Sequence, residues 1–275
     1  MNNLLLSITW NVDPVAFSAG PISVRWYGLF FALGFLLAVY MLGKMFKAEK
    51  CPDDWADKTF LYIILGVVIG ARLAHVIFYD WAYYKDHLLE ILMIWHGGLA
   101  SHGGVLGAII AMIYLSKKVM KKPLLWLGDR VFAVAGITAT LIRLGNLMNS
   151  EIYGHETTLP WAVKFLRNYP SIPEELIPAC HPTQIYEALA YFCMFLFMMF
   201  LYWKKDFGKK YTGMLFGIGF LWVFVFRFFI EFIKNDQSDF EADMILNMGQ
   251  LLSIPFIIYG IYLVIKAVRD KKVCN

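Results

Sequence analysis

Charged residues and cysteines are both scarce in this 275-residue chain. Only 17% of the residues are charged and 59% are hydrophobic, which excludes an ordinary soluble domain and indicates an integral membrane protein. The net charge of +4 is too modest to suggest nucleic-acid binding. The N-terminal residues lack the basic region of a cleaved signal peptide, so we expect the first span to direct membrane insertion. We expect neither a disulfide framework nor a metal site, because no metal-ligand spacing or pairing pattern links the four cysteines, Cys51, Cys180, Cys193 and Cys274.

Apolar stretches of about 20 residues, the length that crosses a bilayer, recur along the chain. The N-terminal stretch 1–23 is broken by Pro14, Gly20 and Pro21, and we expect it to lie along the membrane interface. Glycines four residues apart are typical of close helix packing, and they occur at Gly66/Gly70, Gly103/Gly107 and Gly213/Gly217. The pattern predicts an all-α integral membrane protein with seven transmembrane helices, at 26–45, 59–79, 103–116, 127–142, 184–203, 211–233 and 244–265.

Lysine and arginine are distributed unevenly between the predicted loops. Sixteen of the 25 basic residues lie in one set of loops and span ends, whereas the other set holds acidic residues such as Asp236, Asp239 and Glu241. The positive-inside rule therefore predicts the N-terminus outside and the C-terminus in the cytoplasm. We expect one transmembrane domain, 1–275, with the loop 146–182 forming a small extracytoplasmic head between spans four and five.

The segment Arg143–Gly154 (RLGNLMNSEIYG) follows the apolar helix 131–141 and contains one arginine, two asparagines and a glutamate. Such residues at the end of a span form either a helix end solvated by lipid headgroups or a polar site at the bilayer surface. The positions of the other polar residues favour the site. We expect the ionisable and amide residues within the spans to fall in the outer half of the membrane, with none near the inner surface: Arg72, His75, His102, Arg143, Asn146, Glu187, Arg227 and Glu231.

These residues predict a receptor for an anion at the outer headgroup level. Two or three arginines, a histidine and glycine-rich backbone at 97–104 suit a phosphate, because the planar guanidinium group binds phosphate through two nitrogens. Other interpretations stay open at individual positions. Arg227 and Glu231 are four residues apart and could form a purely structural ion pair. His75 could be a packing residue, and Arg72 could extend to the outer surface.

Six short segments occur in order on the predicted spans and the loops beside them: RWYG at 25–28, GG at 97–98 with HGG at 102–104, the motif 143–154, HPTQIYE at 181–187, FR at 226–227 with EF at 231–232, and MGQLLSIP at 248–255. Each segment is short, but their order on matching spans is specific. Together they resemble the bacterial prolipoprotein diacylglyceryl transferase family over nearly the whole chain. The chain departs from the family pattern at Val223, where the family has tyrosine, and at Lys234, where it has arginine; lysine keeps the charge but lacks the planar fork.

The resemblance implies transfer of the diacylglyceryl group of phosphatidylglycerol to the lipobox cysteine of a prolipoprotein. A thioether forms and glycerol phosphate is released, with no metal and no cofactor. The implied location is the bacterial cytoplasmic (inner) membrane, with the active site on the outer-leaflet side and the precursor's signal peptide as a second membrane partner.

The resemblance also implies roles for individual residues. The expected catalytic residues are His102, as base or headgroup ligand, Arg143 and Arg227 on the phosphate, and Glu231, which with Glu151 orients the arginines. Substrate contacts are expected from Tyr27, Gly103, Gly104, Asn146, Glu151, Gly154, His181 and Glu187, the last two also tying the head loop to the helices.

Three other classes of protein are alternatives. A transporter or channel needs polar residues along the cytoplasmic half of its path, and this half of the spans is predicted to be apolar. An intramembrane protease could pair His102 with Ser101 or Ser150, but neither serine lies in a Gly-x-Ser-x-Gly segment. A lipid acyltransferase is a closer rival, and it differs by moving an acyl chain rather than a diacylglyceryl group.

Overall fold

A computed structural model describes residues 7–20, 22–235 and 245–273. Among these residues, seven helices are long and apolar enough to cross a membrane. In chain order the helices are α1 (Trp26–Ala48), α2 (Trp55–Phe78), a short α3 (Trp81–Tyr84), α4 (Ser101–Tyr114, continued by a π-helical turn at Leu115–Met120), α5 (Leu124–Met148), α6 (Thr183–Lys205), a short α7 (Phe207–Lys210), α8 (Met214–Ile230) and α9 (Met248–Val273). Short 3-10 turns lie at Leu88–Leu92, Ile94–His96, Leu166–Asn168, Glu174–Leu176 and Glu231–Ile233.

Each predicted span overlaps one of the seven long helices, so the prediction of seven spans is confirmed. The helix ends differ, because hydropathy marks only the apolar part of a helix, whereas backbone hydrogen bonding continues into polar residues. Helix α5 extends to Met148, so Arg143 and Asn146 lie in its last turns rather than beyond it. The whole predicted acidic loop 236–243, the predicted start of span seven at Met244, and Cys274 lie outside the described residues.

The described part of the chain also contains four short strands, and the all-α prediction did not include them. Strand β1 (Ile8–Trp10) pairs in parallel with β4 (Val163–Phe165), and β2 (Val15–Ala19) pairs antiparallel with β3 (Ile22–Arg25). The stretch 1–23, expected to lie along the interface, thus contributes β1 to the 146–182 loop. A three-residue strand shows no usable periodicity, and the partner of β1 is over 150 residues away, so sequence pattern alone did not reveal this pairing.

The chain divides into two compact units, Met1–Ala38 with Val131–Asn275 (the first unit) and Val39–Arg130 (the second unit). In the first unit, Leu147, Val163, Phe165 and Cys180 form a buried cluster within the 146–182 loop. The indole Nε1 of Trp10 donates to the Leu147 carbonyl at 3.0 Å. The loop is therefore a packed substructure attached to the end of α5.

In the second unit, α2 and α4 pack through their glycines. A Cβ atom on Gly70 would collide with the Gly103 carbonyl, and one on Gly107 would collide with the Gly66 carbonyl. The predicted close packing of these two glycine pairs is confirmed, because only hydrogen side chains allow the backbones this close.

The second unit also corrects the prediction that ionisable residues avoid the end of the spans next to the basic loops. Asp129 and Arg130, near the start of α5, are fully buried. Arg130 Nη2 donates to Glu49 at 2.7 and 2.8 Å, and its guanidinium group stacks on the Trp126 ring at 4.1 Å. Pairing with a carboxylate makes the buried arginine tolerable there. The cytoplasmic half of the spans is therefore not wholly apolar, and it does not argue against a transporter or channel.

Candidate functional site

The polar end of α5 closes with a backbone motif that redirects the chain. The Glu151 amide donates to the Asn146 carbonyl at 3.1 Å, and the Ser150 amide donates to the Leu147 carbonyl at 3.0 Å. This pair of bonds is the Schellman arrangement, which needs a left-handed residue at Ser150, and its φ of 56° meets that need. Ile152 is left-handed as well, at φ 59°, although a β-branched residue is strained there by about 1–3 kcal/mol. Two tight reversals thus bring residues 151–154 back towards the helices.

Asn146 links Glu151 to Arg143. The Asn146 Nδ2 group donates to Glu151 Oε1 at 2.7 Å, and its Oδ1 atom accepts from Arg143 Nη1 at 3.3 Å. Asn149 Nδ2 also donates to Glu151 Oε1, at 3.2 Å. Among the described residues Glu151 contacts no arginine, which corrects the expectation that it orients one directly. It fixes the amide of Asn146, and that amide contacts Arg143.

The carboxylate that contacts Arg143 directly belongs to Glu187, one turn into α6. Its Oε1 atom lies 3.1 Å from Arg143 Nη2 and 3.1 Å from Lys234 Nζ, and the side chain is only 1% exposed. Its Oε2 atom is buried and has no hydrogen-bond partner among the described residues. Glu187 was expected to tie the head loop to the helices; the structure places it between two cations.

The last turn of α8 and the following 3-10 turn carry the second ion pair. Arg227 Nε lies 3.5 Å from Glu231 Oε1, outside hydrogen-bond geometry, so the attraction is electrostatic. Glu231 is buried, lies 3.9 Å from Lys234 Nζ and accepts from Asn247 Nδ2 at 3.4 Å. The prediction that Arg227 and Glu231 share a helix face and pair is confirmed.

The start of α9 packs directly against Glu231. Asn247 and Gln250 exchange side-chain to backbone hydrogen bonds of 3.0 and 2.9 Å, which is a capping box at the helix N-terminus. A Cβ atom on Gly249 would lie 2.7 Å from Glu231 Cδ, so glycine is needed for this approach. The partial positive charge of the helix end then favours the buried carboxylate.

These contacts form a row of alternating charges, Arg143, Glu187, Lys234, Glu231 and Arg227. The three inner members are buried, whereas the Arg143 and Arg227 side chains are 22% and 43% exposed. Among the described residues, the only buried side-chain nitrogen and oxygen atoms without hydrogen-bond partners belong to this row or to its surroundings: Asn149 Oδ1, Ser150 Oγ, Gln184 Oε1, Glu187 Oε2, Arg227 Nε and Glu231 Oε1. Buried polar atoms are normally satisfied, so these unpaired atoms mark the row and its surroundings as the candidate functional site.

Gly154 and His181 attach the head loop to this row. The Gly154 amide donates to the His181 carbonyl at 2.9 Å, and the His155 amide donates to the Ile233 carbonyl at 2.9 Å. A Cβ atom on Gly154 would collide with the Ile233 carbonyl. Partial burial, and secondarily the charge of His155, lower the pKa of His181 from its usual 6.5. Both residues hold backbone next to Lys234.

Two tyrosines of the first unit adjoin the arginines. Tyr27 in α1 packs its ring against Gly145, where a Cβ atom would lie 2.9 Å from Tyr27 Cδ2, and it interacts electrostatically with Glu151 and Arg143. Tyr191, one turn after Glu187, interacts electrostatically with Glu187 and both arginines. Sequence reading identified Tyr27 but missed Tyr191, because a tyrosine in an apolar helix carries no signal of its own.

His102, Gly103 and Gly104 belong to the second unit. His102 lies in the first turn of α4, is exposed, and makes no hydrogen bond among the described residues. Gly103 and Gly104 are buried where α4 packs on α2. That packing accounts for both glycines; their substrate contacts, and the catalytic role of His102, stay predictions.

Arg72 is not available to bind an anion, which corrects its inclusion in the predicted receptor. Its guanidinium group is buried, stacks on Tyr84, and donates to five backbone carbonyls at 2.6–3.5 Å, those of Glu90, Ile91, Met93, Gly97 and Gly98. Gly98 has a φ of +72°, and a Cβ atom there would lie 2.8 Å from Arg72 Nη1. The glycine pair at 97–98 therefore makes room for the Arg72 side chain rather than for an anion.

The first unit thus presents two partly exposed guanidinium groups, held by buried carboxylates, on helices long enough to span a membrane. The seven long apolar helices indicate a membrane protein, and partly exposed guanidinium groups are chemically suited to an anion such as a phosphate ester. Among the described residues, no group of three or more histidine, cysteine or acidic side chains is arranged to hold a metal.

Comparison with known proteins identifies the family. Residues 14–266 match the family model described as prolipoprotein diacylglyceryl transferase. The chain is 47% identical over 270 residues to a protein of Porphyromonas gingivalis, covering 96% of this chain and 95% of that protein. It is 47% identical over 263 residues to one of Chloroherpeton thalassium, with 96% and 95% covered, and 44% identical over 275 residues to one of Bacteroides fragilis, with 95% and 96% covered. All three are named phosphatidylglycerol–prolipoprotein diacylglyceryl transferase. The chain belongs to the prolipoprotein diacylglyceryl transferase family.

Proposed function

We propose that this chain transfers the diacylglyceryl group of phosphatidylglycerol to the lipobox cysteine of prolipoproteins, the first step of lipoprotein maturation. Family membership over nearly the whole chain supports this activity. The observation that carries it is the pair of partly exposed arginines, Arg143 and Arg227, each held by a buried carboxylate. Two guanidinium groups suit the single phosphate diester of phosphatidylglycerol, because charge-assisted bonds to phosphate are strong and directional.

The reaction is a displacement at the glycerol carbon that carries the phosphate ester. The cysteine thiolate attacks this carbon, the carbon–oxygen bond breaks, and its electron pair leaves with glycerol phosphate. Negative charge grows on the phosphate as it departs, so Arg143 and Arg227 stabilise the transition state more than the bound substrate. The thiol, with an ordinary pKa of about 8.5, must first lose its proton. His102 is the proposed acceptor of that proton or a ligand of the headgroup.

The other site residues position the substrate. Glu231 orients Arg227, and Glu187 orients Arg143. Asn146, held by Glu151, faces Arg143, and Tyr27 lines the same region. Gly154 and His181 fix the 146–182 loop beside Lys234. Buried acceptors without partners, such as Gln184 Oε1 and Glu187 Oε2, suit the hydroxyl groups of a glycerol headgroup.

The proposed setting is the bacterial cytoplasmic membrane, with the N-terminus outside and the C-terminus inside. The basic loops support this orientation through the positive-inside rule. It puts the arginines on the outer-leaflet side and makes 146–182 an extracytoplasmic head within one transmembrane domain. The signal peptide of the precursor enters laterally between the spans.

A reconstituted assay tests the proposal. Purified chain in detergent receives phosphatidylglycerol and a synthetic lipobox peptide, and mass spectrometry follows the peptide while released glycerol phosphate is measured. We expect a diacylglyceryl adduct on the cysteine with the native chain and none with Arg143→Ala. A single acyl chain on the peptide would instead indicate an acyltransferase. Folded native chain that yields no adduct would refute the transferase activity.

A further inference from the structure

Lys234 occupies the centre of the charge row and has no role in the reaction derived above. Its Nζ atom lies 3.1 Å from Glu187 Oε1 and 3.9 Å from Glu231 Oε1, and its side chain is 6% exposed. It is the only cation of the row that is buried. Arg143 and Arg227 contact one of these carboxylates each, at the two ends.

The charge balance of the row depends on Lys234. Three cations, Arg143, Lys234 and Arg227, face two buried carboxylates, Glu187 and Glu231, which leaves one net positive charge. A buried carboxylate without a counter-charge is strongly unfavourable. Without Lys234, each carboxylate would have only its arginine as a cation, and the arginine would be drawn inward to pair with it.

The geometry of Arg227 shows what Lys234 allows. Arg227 approaches Glu231 through Nε, at 3.5 Å and outside hydrogen-bond geometry. Its two terminal nitrogens make no hydrogen bond to any described residue. Arg143 uses Nη2 for Glu187 and Nη1 for Asn146, and its side chain is still 22% exposed. Arg143 and Arg227 keep N–H donors for an external anion because Lys234 neutralises the buried carboxylates Glu187 and Glu231.

The backbone fixes Lys234 in this position. Lys234 forms an antiparallel bridge with Gly154, and the neighbouring Ile233 carbonyl accepts from the His155 amide at 2.9 Å. The missing side chain of Gly154 permits this approach. The end of the 143–154 motif therefore fixes the backbone position of Lys234. A compact ammonium group with three donors can interact with two carboxylates at once.

We propose that Lys234 is a positioning residue that neutralises Glu187 and Glu231 together, so that Arg143 and Arg227 present their terminal nitrogens to the phosphate of the lipid substrate. This inference rests on the proposed transferase function and adds a residue to it. Lys234 itself touches neither substrate.

The test measures the KM for phosphatidylglycerol, kcat and the unfolding temperature for a set of variants in the reconstituted assay. Lys234→Met removes the charge and the donors, and Lys234→Gln removes the charge but keeps N–H donors on a shorter side chain. We expect both to raise KM about tenfold or more, since a buried carboxylate then captures each arginine. Lys234→Arg keeps the charge and should stay within about threefold of the native KM. Lys85→Met, an exposed lysine on the loop after α3, is the matched control and should change nothing.

A double variant separates positioning from general stability. Glu187→Gln removes the carboxylate nearest to Lys234 but leaves Glu231 to draw Arg227 inward, so Lys234→Met with Glu187→Gln should recover only part of the affinity for phosphatidylglycerol that Lys234→Met loses. An unchanged KM in both Lys234→Met and Lys234→Gln would overturn the inference while leaving the transferase function intact. A lower unfolding temperature with native KM would assign the lysine a structural role only, and also overturn it. No transfer by the native chain would instead refute the proposed function.

Discussion

Asn146 holds one hydrogen bond in each direction, donating to Glu151 at 2.7 Å and accepting from Arg143 at 3.3 Å. The carboxylate accepts only, so it fixes which end of the amide faces it, and the amide oxygen must then face the guanidinium group. Asn146 is 4% exposed, which makes the orientation costly to reverse. Glu151 thus acts on Arg143 through Asn146.

Asn146→Asp tests this relay with nearly the same shape. The new carboxylate would face Glu151 where an amide donor now lies, at a distance where two like charges repel strongly. We expect kcat/KM to fall about 100-fold, equivalent to ~2.7 kcal/mol of transition-state stabilisation. In the double variant Asn146→Asp with Glu151→Gln, the amide at position 151 can donate to the carboxylate at position 146. We expect kcat/KM to recover at least about tenfold relative to Asn146→Asp alone. If the double variant were no better than Asn146→Asp, the relay would be wrong.

The number of spans and the Arg227–Glu231 pair could be predicted from the sequence, because both leave strong local signals. Seven apolar stretches mark the long helices. Arg143, Asn146 and Glu151 stand out as polar residues at the end of an apolar helix, and the spacing of Arg227 and Glu231 predicts their pair. Residues that are costly in a membrane are informative even in a single sequence.

The partners of those residues could not be predicted, since they depend on contacts distant in sequence. Glu187 contacts Lys234, which lies 47 residues away, and the two reversals at Ser150 and Ile152 use residues with no turn signature. The role of Arg72 could not be predicted either, because its partners are also distant in sequence. An arginine that binds phosphate and one that binds five carbonyls of its own loop look alike in a sequence.

Asp129 and Arg130 show a different limit. Both lie inside the predicted fourth span, yet the partner that makes Arg130 tolerable, Glu49, lies 81 residues earlier. Trp126 covers the other side of the guanidinium group. Hydropathy averaged over a window cannot detect such a pair, because apolar neighbours outweigh it.

Gly154→Ala tests whether the head loop must approach the end of α8 this closely. The added methyl group would collide with the Ile233 carbonyl and lie 2.9 Å from Thr183 Cγ2, so the backbone beside Lys234 must move. Overpacking of this kind costs about 1–3 kcal/mol, and we expect transferase activity to fall about tenfold or more. Gly43→Ala is the control, because its methyl group would make an ordinary 3.7 Å contact with Ala56. Equal activity in the two variants would exclude a role for this approach.

His181 gives the head a predictable dependence on pH. Partial burial, and then His155, lower its pKa in the folded chain from 6.5. Between 6.5 and that lower value the unfolded chain binds more protons, so stability is complete above about pH 6.5 and declines as the pH falls. Unfolding temperatures from pH 8 to pH 5 measure this decline. His181→Gln should flatten it, and His155→Gln should reduce it less, since burial is the larger cause. A decline that is the same in His181→Gln would assign it to other groups.

Arg72→Met tests whether Arg72 stabilises the loop 90–98 through hydrogen bonds or binds the lipid. Arg72 donates to five carbonyls of residues 90–98, and a hydrogen bond to a charged group is worth about 1.5–3 kcal/mol, so we expect a loss of at least ~3 kcal/mol in unfolding free energy. The segment should become sensitive to protease, while the folded fraction keeps its KM for phosphatidylglycerol. Arg72→Lys retains three donors, and its unfolding free energy should lie between those of the native chain and Arg72→Met. Arg269→Met, which removes an exposed arginine of α9, controls for the lost charge. A raised KM with native stability would return Arg72 to the anion site, since a loop staple affects substrate affinity only through unfolding.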